Sequence, residues 1–170
     1  MCFRWFYAGC STNRARSLET TVRPATQDDR SAVESLYLEL KRHHHELVPS
    51  ALRYNVPDEN WIAVIRAGMA DPDQRFFVAE QHGRVIAFMR LRIDDRFFGR
   101  ACEVDTVSVA SNFRNQRIGR TLMDEAERFA REAGAIAMRV NVLSVNESGR
   151  QFYEGLGYEV VAHRYAKDLD

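Results

Sequence analysis

Glu103 and Asp105 stand two residues apart in Ala101-Cys102-Glu103-Val104-Asp105-Thr106-Val107, a stretch otherwise apolar or small. In an extended chain this spacing puts both carboxylates on one face. Like charges that close push one of the two pKa values toward neutrality, and burial acts the same way, so one of them can serve as a proton acceptor. The competing use is structural, an ion pair with Arg90 or Arg92 from a neighbouring strand. A second cluster, Arg114, Arg117 and Arg120, brackets the start of an amphipathic segment. If that segment is a helix, its first N–H groups are unpaired and its dipole disfavours cations there. Arginines in that position either await an anion or are simply solvated. Cys102 offers a nucleophilic thiol, but it alternates with both carboxylates, faces away from them and has no histidine near it in sequence. A buried core residue is the expectation. His43, His44 and His45 are consecutive on a helical stretch, so their rings point about 100° apart and cannot share one metal.

The elements that must hold these groups follow from changes of period. Val22 to Pro24 is a short strand, and Thr26-Gln27-Asp28-Asp29 has the form of a capping box. Val33, Leu36, Tyr37, Leu40 and Leu47 then keep helical spacing to about Val48. Asp58 is a suitable N-cap for a second helix containing Trp61, Ile62, Val64 and Ile65 and ending near Gly68. Phe76 to Ala79, a His82-Gly83 turn and Val85 to Ile93 read as a hairpin, and a further strand runs from Ala101 to Val109. A third helix begins near Ile118 with Leu122, Met123, Ala126, Phe129 and Ala130 on one face and Gly134 as its stop. Ala135 to Leu143 is a buried strand, Asn146 caps a last helix that Gly157 ends, and Tyr158 to Ala162 and His163 to Leu169 read as closing strands. The order is βααβββαβαββ, an α/β sandwich with a mixed sheet.

A chain of 170 residues fits one domain, and its opening segment differs from the rest. Residues 1–19, aromatic and then basic, read as a loosely packed extension ahead of a domain over 20–170. Balanced charge, 24 Lys+Arg against 24 Asp+Glu, excludes the broad basic footprint of nucleic-acid binding. No apolar run approaches the ~20 residues of a membrane helix. Cys2, Cys10 and Cys102 form no complete disulfide framework and show no metal-ligand spacing, which points to a reducing, cytoplasmic setting.

Phe113-Arg114-Asn115-Gln116-Arg117-Ile118-Gly119-Arg120-Thr121-Leu122 resembles the acyl-coenzyme A loop of the GNAT superfamily of N-acetyltransferases, written R/Q-x-x-G-x-G/A. Gly119 is its second glycine, and Arg117 replaces the first; an αR-compatible turn there would still present an N–H. Asn146-Glu147-Ser148-Gly149-Arg150-Gln151-Phe152-Tyr153-Glu154-Gly155-Leu156-Gly157-Tyr158 is similar to the family's second signature, N-x-x-(A/G)-x-x-F-Y-x-x-x-G-(F/Y). Val22-Arg23-Pro24-Ala25 is similar to its first strand and helix start.

The resemblance implies an α/β (α+β) fold with a mixed, mostly antiparallel sheet of about six to seven strands, splayed between strands 4 and 5 and flanked by four helices. It implies acetyl-CoA as acyl donor, without a metal. N–H groups of Gln116, Arg117, Ile118, Gly119, Arg120 and Thr121 would converge on the pyrophosphate, with charge from Arg114, Arg117 or Arg120. Backbone of Val107, Ser108 and Val109 would pair with the pantetheine arm, and the Val109 N–H would face the thioester oxygen. Asn146 would contact the pantetheine amides as well as cap its helix, Asp105 or Glu103 would take the ammonium proton, and Tyr153 would donate to the departing thiolate.

The leading expectation is acetyl transfer to a primary amine by direct attack in a ternary complex, with a small-molecule acceptor favoured. A protein N-terminus or lysine as acceptor, and a non-catalytic acyl-CoA sensor, are the alternatives. A base favours catalysis over sensing. Nucleic acid and membrane are not expected partners; a homodimer is compatible with the resemblance. The resemblance implies that the segment Pro49 to Asn60 and the loop Asp94 to Arg96 would set the choice of acceptor, and that the histidines of the first helix could line its entrance.

Overall fold

The computed structural model of the chain describes residues 20–49, 56–95 and 99–167; the N-terminal extension, residues 50–55 of the second loop and residues 96–98 lie outside them. Five strands pair in the order β1 (Thr21–Pro24), β2 (Gln74–Gln81), β3 (Arg84–Asp94), β4 (Ala101–Val109), β5 (Ala137–Val140). The first three pairings are antiparallel and β4–β5 is parallel. The β2–β3 turn is two residues long, with φ of 50° at His82 and 75° at Gly83, the paired positive values that a tight hairpin turn of this hand requires.

Each sheet face is read by alternation. Phe76, Val78 and Phe88 pack against Val33, Leu36 and Tyr37 of α1 (Arg30–Leu47) and Ile65 of α2 (Asp58–Ala70). Phe77, Ala79, Met89 and Leu91 face Ile118, Leu122, Met123, Ala126 and Ala130 of α3 (Ile118–Glu132), the stripe expected from their spacing. Phe152 and Tyr153 of α4 (Glu147–Glu154) join that second core. The Asp29 carboxylate accepts from the Thr26 N–H at 2.7 Å and hydroxyl at 3.0 Å, so the capping arrangement ahead of α1 forms. The second helix starts one residue earlier than expected: Pro57 is its N-cap and Asp58 its first residue.

The sheet has five strands among the described residues, not six or seven. β5 stops at Val140, and 158–167 forms no strand. Val161 is 88% and Tyr165 92% exposed. The strand-forming composition of Tyr158 to Ala166 is present, but β propensity expresses itself only against a neighbouring ladder and a buried face, and this segment has neither.

Candidate active site

The site begins at an irregularity in β4. Arg90 lies opposite Thr106 and Leu91 opposite Val104, so Asp105 is an extra residue with no partner on β3, a β-bulge. The bulge changes the phase of the strand. Cys102 and Val104 face the α3 core before it, and Val107 and Val109 face that core after it. It also bends β4 away from β5: the parallel ladder runs only from Ala101↔Ala137 to Val104↔Val140 and then ends. The expected splay is therefore present, and it shortens β5, because beyond Val140 there is no ladder to join. The Ala110 N–H bonds the Ile86 carbonyl at 2.9 Å, so strand alternation turns the backbone groups of Val107 and Val109 outward into the splay.

A continuous cleft of about 2610 Å³ follows this opening, from Tyr37, His43, His44 and Trp61 at one end past Val107 and Val109 to Arg117, Gly119 and Arg120 at the other. At the α3 end, Arg117 is the N-cap and adopts a left-handed conformation, φ 63° and ψ 4°. The position of the missing glycine thus does require positive φ, and the expectation of an αR-compatible turn is corrected. Such a conformation costs an L-residue about 1 kcal/mol. Gly119 serves close approach: a Cβ there would lie 3.2 Å from Cζ and 3.4 Å from Cε2 of Phe152. A side chain at 119 would require the Phe152 ring of α4 to give by a few tenths of an ångström.

The structure divides the expected coenzyme residues. The Thr121 N–H bonds the Arg117 carbonyl at 3.0 Å, so it is spent inside the helix and cannot receive a pyrophosphate oxygen. The Gln116 amide donates to the Asn112 carbonyl at 3.3 Å, and neither Gln116 nor Thr121 lines the cleft. Arg114 donates through Nε to the Val109 carbonyl at 3.2 Å and reaches Glu39 at 3.4 Å, while Glu39 also accepts from the Ser111 N–H at 2.8 Å. Arg114 is thus a tie between the end of β4 and α1. The side chains of Arg117 and Arg120 have no hydrogen bond or ion pair among the described residues and line the cleft beside Ile118 and Gly119. Ser108 turns its hydroxyl away to the Leu36 carbonyl at 3.1 Å and contributes backbone only. Asn146 caps α4, accepting from the Gly149 N–H at 3.0 Å, and lines the cleft.

Glu103 and Asp105 both line the cleft, and neither is unpaired. Arg92 Nε lies 3.2 and 3.3 Å from the two Asp105 oxygens, Arg90 Nε lies 3.8 Å from one of them, and Arg139 of β5 lies 3.3 Å from Glu103. The arginine pairing expected as the competing role is real for Asp105. Tyr153 lies against Phe152 and Tyr158, with ring centroids 5.0 and 5.6 Å away. Its hydroxyl has no hydrogen bond among the described residues, and burial, with a smaller contribution from Tyr158, pushes the phenol well above its ordinary value of 10. Burial, then the charges of Glu103 and Asp105, pushes the Cys102 thiol up to about 11; fully buried in the α3 core, it is no nucleophile at neutral pH. Arg139 and Glu39 were not singled out by sequence reasoning. Their contacts join elements 36 and 72 positions apart, and no local spacing signals them.

A sheet splayed beside a helix N-terminus defines a class of coenzyme-binding fold, and the comparisons fix which. The chain belongs to the acetyltransferase (GNAT) family, whose model matches residues 33–158, and is by class an acetyl-CoA-dependent acyltransferase. It is similar to the aminoalkylphosphonate N-acetyltransferase of Salmonella typhimurium, 27% identical over 153 residues, which cover 87% of this chain and 90% of that protein. Its fold resembles the crystal structure of the aminoglycoside N-acetyltransferase AAC(6')-Iy in complex with CoA, at 16% identity and a TM-score of 0.72, covering 91% of this chain and 97% of that one. A second structure of that enzyme, with a bisubstrate analogue joining CoA to an acetylated neamine, matches at 15% identity with a TM-score of 0.69 over 89% of this chain and 99% of that one. Among the described residues no helix is long and apolar enough to cross a membrane.

Proposed function

We propose that the chain transfers the acetyl group of acetyl-CoA to the primary amine of a small molecule by direct attack in a ternary complex. The observation that carries this reading is the alignment of three uncommitted donor sets along one cleft: the first N–H groups of α3 with Arg117 and Arg120, the outward N–H groups of Val107 and Val109, and the Tyr153 hydroxyl. They match, in order, a pyrophosphate, an extended amide-bearing arm and a sulfur. The names of the Salmonella relative and of the aminoglycoside enzyme, both acting on small amines, support the acceptor class.

Each residue then has a task. Ile118, Gly119 and Arg120 offer N–H groups that the helix leaves unpaired, and two guanidiniums add charge that the helix dipole alone would repel. Val109 presents its N–H to the thioester oxygen, where a fixed donor stabilises negative charge as it develops. Asp105, at the bulge where the splay opens, accepts the proton of the incoming ammonium, directly or through water, with Glu103 beside it on the strand. Tyr153 keeps its proton across the neutral range and gives it to the departing thiolate. The burial of Cys102 speaks against an acyl-thiol route through that residue and so supports direct attack of the amine on the donor.

A panel of primary amines and short peptides, assayed by release of the coenzyme thiol, tests this. We expect saturable release with small amines and intersecting double-reciprocal plots. Parallel plots would replace the ternary complex with a ping-pong scheme. Release only with peptides would change the acceptor class, and tight coenzyme binding with no release from any amine would convert the protein into an acyl-CoA sensor.

A further inference from the structure

The acceptor end of the cleft contains a guanidinium that, among the described residues, has a long ion pair with Asp105 and no hydrogen bond. Arg90 points from β3 to the same side of the sheet as Phe88, toward α1 and α2, and keeps only 16% of its side-chain surface exposed. Its Nε is buried without a hydrogen-bond partner, and among the described residues none of its N–H groups has an acceptor. The nearest carboxylate, Asp105, is 3.8 Å away and already accepts from Arg92 on both oxygens. Glu103 is engaged by Arg139. A mostly buried guanidinium whose Nε–H has no acceptor is costly unless something satisfies it. The planar fork of a guanidinium matches a phosphonate or carboxylate, where two parallel charge-assisted bonds form at once.

We infer that Arg90 is a specificity-determining residue that grips an oxyanion carried by the acceptor amine itself. The inference rests on the reading above that Asp105 marks where the ammonium docks. Since Arg90 and Asp105 adjoin, the acceptor's two charges stand only a few carbon atoms apart, a short ω-amino phosphonate or carboxylate. The ammonium faces Asp105 while the oxyanion faces Arg90 and the hydroxyl-bearing side chain of Thr106, its neighbour across the ladder. A polycationic acceptor is disfavoured, because the site offers it two paired carboxylates and a bare guanidinium. Glu103 and Asp105 carry the proton chemistry, and Arg90 orients the substrate.

The experiment compares 2-aminoethylphosphonate, β-alanine, ethanolamine and kanamycin as acceptors, with the wild type and the Arg90→Gln and Arg90→Lys variants. A site built around an ionic contact rejects an analogue lacking the ion strongly, so we expect the wild type to prefer an anionic amine over ethanolamine by about 100-fold in kcat/KM. Whichever of the phosphonate and the carboxylate wins identifies the oxyanion. Arg90→Gln should collapse that ratio by about tenfold or more, mainly through KM, and Arg90→Lys should restore part of it. Coenzyme affinity by calorimetry should be the same in all three proteins, which reports that each is folded. A wild type that prefers ethanolamine or kanamycin, or an Arg90→Gln loss equal for charged and neutral amines, overturns the inference. Calorimetric titration of 2-aminoethylphosphonate and β-alanine into the CoA-saturated protein separates the two readings. Binding that depends on Arg90 without acetyl transfer keeps the anion site and removes the transferase reading, whereas transfer to amines without any anion preference does the reverse.

Discussion

At Asp105 two readings of one carboxylate meet, because its oxygens are bonded by Arg92 and yet it sits at the bulge that opens the cleft. Asp105→Asn distinguishes them. If it accepts the ammonium proton, the variant should lose roughly 100-fold or more in kcat/KM, the usual worth of a positioned base, with coenzyme affinity nearly intact. Glu103→Gln should cost less. Near-silence of Asp105→Asn with a crippled Glu103→Gln would move the base two positions up the strand. Silence in both, at saturating acceptor across pH 6 to 9, would remove protein-mediated proton acceptance and leave the pair a purely structural one. Tyr153→Phe deletes one oxygen from a ring that otherwise packs unchanged, so turnover should fall more than acceptor or coenzyme binding. Because burial raises the phenol above 10, no alkaline limb below that pH should belong to Tyr153; a wild-type limb near pH 9 that vanishes in Tyr153→Phe would contradict that upward shift, whereas unchanged turnover in Tyr153→Phe would remove the donor role. The carboxylates and the arginine pairing were legible from residue type and strand parity, and Tyr153 only from the resemblance of its segment to the family's second signature. Arg139 on Glu103 and Glu39 on the end of β4 were not, since they depend on which elements the fold brings side by side.

The N-terminus of α3 is the element on which coenzyme binding turns, and its two special positions answer different demands. Gly119 is needed for closeness: a Cβ would press on the Phe152 ring at 3.2 Å, so Gly119→Val should push α3 from α4 and weaken acetyl-CoA about tenfold or more, ~1.4 kcal/mol, by calorimetry. Arg117 is needed for charge in a conformation better suited to glycine. Arg117→Gly should therefore raise Tm by roughly 2–4 °C, corresponding to about 1 kcal/mol of relieved backbone strain, while weakening the coenzyme several-fold. Arg117→Ala keeps the strain and loses the charge, so its affinity should fall without a gain in Tm. A variant Arg117→Gly that is no more stable than Arg117→Ala would show that the left-handed turn costs nothing. Elements of this kind were largely readable: β4 spans Ala101–Val109 as its apolar run implied, and α3 begins at Ile118 as its stripe implied. What escaped was conditional on partners. A bulge that splays this strand followed from the family resemblance, but alternating residues do not place it at Asp105, and that place decides where β5 must end. The closing strands were read from propensity alone, which has no force where no ladder is offered.

Across the whole molecule, the first strand, the turn into α1 and the second strand are joined by one charge cluster that no single element explains. Arg23 of β1 bonds both oxygens of Asp29, at 2.7 and 2.9 Å, and reaches Glu80 of β2 at 2.7 Å. Asp29 also accepts from Thr26 and its side chain is 7% exposed, so its end of the network is sheltered, while Arg23 at 35% and Glu80 at 29% remain open to screening. The Arg23 guanidinium, aided by the Thr26 N–H and hydroxyl against the cost of burial, holds the Asp29 carboxyl down from 3.8 to about 2. A carboxyl depressed in the folded state stabilises it above the unfolded value, and the contribution drains away as pH falls from about 4 through 2. Its full size is of order 2 kcal/mol, or about 4–8 °C in Tm for a chain of this length. Asp29→Asn should therefore be less stable than the wild type by about that amount at pH 7, and the gap should stay level down to about pH 5. By pH 3 it should have closed by about half, because the unfolded carboxyl is then mostly protonated while the folded one is not. Urea unfolding of both proteins between pH 3 and 7 measures it. A gap that is the same at pH 3 as at pH 7 would mean that Asp29 acts through shape and hydrogen bonding alone, and that the charge linking the two strands to the turn ahead of α1 contributes nothing to stability.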